Sequence, residues 1–182
     1  MNGATDALRR FFGFEEFLDH QKMVIDRILN GEDLCVVMPT GAGKSLCYQL
    51  PVLMKPGYAL VVSPLIALMY DQVMALRKRG IPAAFINSSI TFNEQIAAAD
   101  AAARGEVKLL YVAPERLQTE FFSRLSAILR RRCWWSMRRI VSANGDMISG
   151  RVTGVSGMLP PTAASVRSAL LLLRQLRRYA MI

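Results

Sequence analysis

The stretch VVMPTGAGKSLCYQLP, Val36 to Pro51, decides how this chain is read. An apolar run stops at Met38, a loop of small residues carries one lysine, and an apolar helix-like run follows. That is the layout a phosphate cradle needs. Gly41 and Gly43 permit unusual dihedrals and a close backbone approach. Successive N–H groups, with the positive end of the following helix, can face phosphate oxygens. In such a loop Thr40, Gly41, Ala42 and Gly43 form the cradle, Lys44 reaches the β- and γ-phosphates, and Ser45 offers a hydroxyl to Mg2+. The general pattern has a glycine three places before Gly41, where this chain has Met38. The bland alternative is a tight turn carrying a surface lysine. The strand–loop–helix setting weighs against it.

Outward from this loop the chain alternates helix and strand as far as residue 129. Asp19–Asn30 has Met23, Val24 and Ile28 at helical spacing, and Gly31 ends it. Leu34–Met38 reads as a short buried strand and Lys44–Leu53 as a helix. Ala59–Ser63 is a strand, Leu65–Arg79 a helix stopped by Gly80, and Ala83–Ile86 a weak strand. Thr91 with Glu94 looks like a capping box opening a helix to Arg104. Leu109–Val112 is a strand and Phe121–Leu129 a helix. Continuous apolar strands alternating with helices imply an α/β fold, a parallel sheet covered on both faces. No internal repeat is found.

Composition narrows the setting. The chain has 182 residues and is about half apolar, enough for one α/β domain and a stub. Cys35, Cys47 and Cys133 have no metal-ligand spacing. Cys35 and Cys47 lie in apolar runs and read as buried thiols of a reducing cytosol. The N-terminus shows no signal-peptide pattern, and the late run Ala169–Leu173 is too short to cross a bilayer. A cytoplasmic protein without a membrane partner is expected. Charge is uneven: residues 1–136 hold 16 Lys/Arg and 13 Asp/Glu, whereas residues 137–182 hold 7 Arg and one Asp. A basic tail can mean nucleic acid. This one has no Lys, Glu, His, Phe or Trp, and no apolar period. Trp134 and Trp135 after Arg130–Arg132 could stack on bases, but such a run is more often a solvated helix end. His20 alone reads as a surface residue.

Four segments carry a family resemblance. In order they are FGFEEFLDHQ (12–21), MPTGAGKSLCYQLP (38–51), VVSPLIALMYDQV (61–73) and LLYVAPERL (109–117). Together they resemble the RecQ family of ATP-dependent DNA helicases over about residues 10–125, and the extension GKSLCYQLP is specific to that family. The resemblance implies a RecA-like P-loop NTPase domain that binds ATP and Mg2+. It implies a 3′ to 5′ helicase of DNA recombination and repair, acting on a single strand or forked duplex. Gln21 would then read the adenine edge through its amide, which both donates and accepts. Ser63, Pro64 and Leu65, with Asp71 and Gln72, match a segment near the DNA strand and the ATP site. Ala113, Pro114, Glu115 and Arg116 match a second strand-contacting segment. Such contacts to phosphates are independent of sequence. Where the family has Arg-Pro-Gly-Gln, this chain has Leu18-Asp19-His20-Gln21. Leu18 cannot pair or stack as a guanidinium does.

ATP hydrolysis also needs a carboxylate for Mg2+ and a group that positions the attacking water. The family supplies both in a D-E-A-H box after APERL and its helix. This chain has none; Asp146 is the only acid after Leu129. The segment SMRRIVSANGDMISGR (136–151) explains why. It can be encoded so that reading begins on the last base of the Ser136 codon. The product is then D-E-A-H-C-I-S-E-W-G-H-D-F-R, the family's box followed by its aromatic-rich loop. The upstream RRCWW permits a buried strand, P-V-L-V-V, and ALLLLRQLRR permits the next motif, L-T-A-T-A-T. The sequence therefore reads as a frame slip between about Leu125 and Arg131. Residues 1–129 would be a partial ATP-binding domain and 130–182 an aberrant basic tail, without order or weakly helical around Ser168–Arg178. Loss of the box strand from within the sheet is expected to expose neighbouring edges and weaken the domain. No hydrolysis or unwinding is expected of this chain. The competing readings are a non-hydrolysing nucleotide- or DNA-binding fragment, with the tail gripping phosphates, and a product without function.

Overall fold

The computed structural model describes residues 3–118, apart from 19, 33, 35, 37, 39 and 40, and the backbone of 137–141 and 147–150. Three parallel strands, β1 (Ala59–Val62), β2 (Ala83–Ile86) and β3 (Leu109–Val112), lie in the order β2-β3-β1. All their residues are buried except the half-buried Phe85. Burial on both faces is what makes these strands read as continuous apolar runs. Alternation along each strand divides the side chains between two cores. Ala59, Val61, Leu109 and Tyr111 enter one, and Leu60, Val62, Leu110 and Val112 the other.

The first core is covered by α1 (Gly3–Phe12), α2 (Gln21–Leu29), α3 (Lys44–Met54) and α4 (Ile66–Lys78). Met69, Val73 and Leu76 are the buried stripe of α4. The second core is covered by α5 (Phe92–Arg104), through Ala99 and Ala102. The capping box at Thr91 forms as expected. The Thr91 hydroxyl accepts from the Glu94 N–H, and the Thr91 N–H donates to the Glu94 carboxylate at 2.7 Å. Gly105, at φ 83°, closes the other end.

Three features differ from the sequence reading. α1 was not expected, although Ala4, Ala7, Leu8, Phe11 and Phe12 have helical spacing, and the first, second, third and fifth of them are buried. Arg79 fastens its end: the guanidinium donates to the Phe12 carbonyl at 3.1 Å and lies over the Phe12 ring. Second, the expected strand Leu34–Met38 is not one at its described residues Leu34, Val36 and Met38. A strand needs a partner ladder, and these three residues pair with none of the described strands. β3 holds one edge of β1, and β5 (Met147–Gly150) holds the other. Third, part of the tail expected without order carries strands. β4 (Met137–Val141) pairs antiparallel with β5, which pairs antiparallel with β1, setting Val61 against Ile148 and Val62 against Met147. The open edge of β1 presents unpaired N–H and C=O groups, and a nearby apolar segment can satisfy them whatever its origin. That edge is thus covered rather than exposed. The expected helices Phe121–Leu129 and Ser168–Arg178 lie outside the described residues. No helix among the described residues is long and apolar enough to cross a membrane.

Candidate functional site

The phosphate loop sits at the start of α3. Gly41 (φ 83°) and Gly43 (φ 70°) both take the left-handed conformation, which a side chain disfavours. No side chain caps the first turn of α3, the end of a helix that favours an anion. A Cβ on Gly41 would meet nothing within 4 Å. The space beside Gly41 is therefore open. The Lys44 amine donates to the Met38 carbonyl at 3.0 Å, which folds the side chain back across the loop. Ser45 is half-buried in the first turn. Thr40 lies outside the described residues. The chemistry of this donor set fits a nucleotide's phosphates. For Mg2+ it supplies the Ser45 hydroxyl, and phosphate oxygens and water would complete the shell.

Gln21 comes from α2 and is 2% exposed. Its amide nitrogen faces the carbonyls of Gly43, at 3.3 Å, and Ala42, at 3.5 Å. Its amide oxygen accepts from the Leu18 N–H at 2.8 Å. One side chain thus ties the loop before α2 to the phosphate loop, using both faces of the amide. His20 precedes it at φ 69°, the only non-glycine residue with positive φ among those described. Leu18 is exposed, at 58%, on the rim. The structure brings Gln21, Ala42, Gly43 and Lys44 together at one loop.

The two segments assigned to DNA by resemblance leave the sheet side by side. Val62 and Val112 are in register, so Ser63 and Ala113 follow the carboxyl ends of neighbouring strands. Open α/β sheets bind their ligands at that end. The Ser63 N–H donates to the Val112 carbonyl, and the buried Ser63 hydroxyl accepts from the Leu65 N–H at 3.4 Å. Pro64 and Leu65 are exposed beside it, and Asp71 is exposed further along α4. Pro114, Glu115 and Arg116 form a 3-10 turn over Pro114–Gln118, with Glu115 outward and Arg116 half-buried. Gln72 points inward rather than to solvent: its amide oxygen accepts from Gln49 at 2.9 Å.

That bond belongs to a polar cluster the sequence reading missed. The Tyr48 and Tyr111 hydroxyls are 3.1 Å apart, and the Gln49 amide nitrogen also reaches the Tyr111 hydroxyl at 3.4 Å. The signal was present: Tyr48-Gln49 is a polar pair inside an otherwise apolar helical run. Next to it, Cys47 is a free buried thiol, as expected from sequence. Burial pushes its pKa up to about 11, so it is protonated and unreactive at neutral pH.

Comparison with known proteins agrees with this geometry. The DEAD/DEAH box helicase family matches residues 18–138. The ATP-dependent DNA helicase RecQ of Haemophilus influenzae is 48% identical over 122 residues, covering 67% of this chain and 20% of that protein. RecQ of Bacillus subtilis is 41% identical over 126 residues, covering 69% of this chain and 21% of that protein. The chain therefore spans about one fifth of the length of the curated relatives it matches. Among solved structures, a hypothetical ATP-dependent RNA helicase from Sulfolobus tokodaii superposes with a TM-score of 0.54 at 25% identity. That match covers 71% of this chain and 38% of the other. A parallel sheet with helices on both faces, a glycine loop opening α3 and these matches lead to one assignment: the chain belongs to the DEAD/DEAH box helicases, and within them its sequence is that of a RecQ-type member.

Proposed function

We propose that this chain is the nucleotide- and DNA-binding part of the first motor domain of a RecQ-type DNA helicase of recombination and repair, working 3′ to 5′. Residues 1–129 act as the partial ATP-binding domain. The backbone of Thr40–Gly43 cradles the phosphates, Lys44 neutralises them, Ser45 faces Mg2+, and Gln21 turns its amide to the adenine edge. The nucleotide supplies the chemical energy of the intact motor. Ser63, Pro64, Leu65, Pro114, Glu115 and Arg116 belong to the segments along the path of the DNA strand, and Gln72 supports them from within through Gln49. The observation that carries this reading is the uncapped start of α3, with Gly41 and Gly43 both left-handed and Gln21 seated on the loop. A fluorescent ATP analogue titrated into the chain tests it. Binding is expected, and Lys44→Ala is expected to lower affinity at least tenfold, or about 1.4 kcal/mol, by removing the cation from the phosphates. Equal affinity in both proteins would refute the assignment.

The proposal extends to an activity limit. The chain is expected to bind nucleotide and not turn it over, because the D-E-A-H carboxylates are encoded in another frame across residues 136–151. Resequencing the gene across the codons for 120–140 checks the frame. A shifted frame that does not read D-E-A-H would sink this account of the tail. DNA-stimulated ATP hydrolysis that disappears in Lys44→Ala would sink the proposed inactivity.

A further inference from the structure

Three elements that lead to the proposed site are pinned together by one buried side chain. Gln49 lies on α3, whose first turn is the phosphate loop, and is 5% exposed. Its amide nitrogen donates to Gln72 on α4, the helix entered through Ser63–Leu65. It also donates to the Tyr111 hydroxyl on β3, the strand that runs into Ala113–Arg116. Tyr48, one residue earlier on α3 and 6% exposed, reaches the same hydroxyl. Around this cluster the packing is apolar: Leu46, Leu50, Val73 and Leu109 belong to the same core. Apolar surfaces can slide by fractions of an ångström with little change in energy, whereas a buried hydrogen bond tolerates little change in length or angle. A shift of α3 toward bound phosphate must therefore be followed by Gln72 and Tyr111, or leave a buried polar group unsatisfied.

We propose that the Tyr48–Gln49–Tyr111–Gln72 cluster couples occupancy of the phosphate loop to the position of the two DNA-facing segments. Gln49 and Tyr111 are positioning residues: they touch neither ligand and fix the relative placement of the elements that do. The inference rests on the proposed function, because it requires the chain to bind both a nucleotide and a single strand.

Coupling is measured as the ratio of nucleotide affinities with and without DNA. A fluorescent, non-hydrolysable ATP analogue is titrated into the full 182-residue chain, alone and with saturating oligothymidine. A ratio of about fivefold or more is expected, the lower end of typical coupling between sites. Gln49→Leu and Tyr111→Phe should each bring the ratio to within about twofold of one, with little change in affinity for nucleotide alone. The double variant should go no further than either single one, since the residues act as a unit. Tyr111→Phe keeps the ring and its packing, so it decides the matter if Gln49→Leu folds poorly. Ala102→Gly, in the opposite core under α5, should lower the melting temperature and leave the ratio intact, which separates coupling from stability. A ratio that persists in both Gln49→Leu and Tyr111→Phe overturns the proposal. So does a wild-type chain that binds both ligands independently, although the site assignment then stands. A wild-type chain that binds neither ligand removes the site assignment, and the coupling with it.

Discussion

Gly43 has less freedom to change than Gly41, its partner in the loop. It combines φ 70° with a neighbour where a side chain would go: a Cβ there would clash with the Gln21 amide nitrogen. Gly41 is also left-handed, yet its surroundings are open. Gly43→Ala should therefore cost more than the about 1–2 kcal/mol of left-handed backbone alone, because Gln21 must also leave its place on the loop. Gly41→Ala should cost about that backbone term and leave Gln21 in position. Denaturant melts of the two variants check the order; equal losses would show that Gln21 yields freely. At this scale the sequence was informative where chemistry is local. Gly41, Gly43, Lys44 and Ser45 announce a phosphate loop by type and spacing, and Gln21 came from the flanking resemblance. The Gln49–Gln72 and Tyr48–Tyr111 bonds were hidden for a physical reason. They join residues far apart in the chain, and nothing in a helical apolar run says which neighbour a buried amide will face.

Among the elements, α5 has the clearest local cause. Its start is set by the Thr91–Glu94 box, and the hydrogen bonds from the Thr91 hydroxyl and N–H hold the Glu94 carboxyl below its ordinary pKa. A carboxyl lowered on folding stabilises the native state above its unfolded pKa, and that support is lost as pH falls through the folded value. Wild type should therefore melt above Glu94→Gln at neutral pH, and the gap should close at acid pH below the ordinary carboxylate range. A gap that is independent of pH would mean that Glu94 acts through packing instead of charge. Helices and strands with continuous local patterns, such as α4, β1 and β3, were legible to within a residue or two. α1 was equally patterned and was overlooked. Leu34–Met38 shows the limit of local reading. It is apolar and bounded like a strand, but a strand is completed by its neighbour, and its described residues pair with none of the described strands. Sequence patterns report what a segment can pair with and stay silent on which partner arrives.

For the molecule as a whole, layered packing explains why the three parallel strands stay together although the tail supplies two more, antiparallel ones. Helices on both faces bury β1 and β3 completely, and α1 is clamped to α4 through Arg79 and Phe12. The order β2-β3-β1 has a further consequence, for synthesis. Among the described residues, β1 and β2 pair with nothing earlier in the chain. Ala59 and Ala83 both wait for Leu109. While the chain grows from its N-terminus, the described residues before Leu109 can form helices but no ladder with one another, and β1 and β2 stay unpaired until β3 emerges. Such unpaired edges invite association with other chains. Nascent chains halted with residue 108 outside the ribosome should thus show helical but no strand amide protection, and should bind holdase chaperones. Those halted beyond residue 118 should gain protection in β1, β2 and β3 at one step. Protection of β1 or β2 in the shorter chains would mean that pairing begins some other way. β3 gives both earlier strands a partner at once, and so ends the interval in which neither has one.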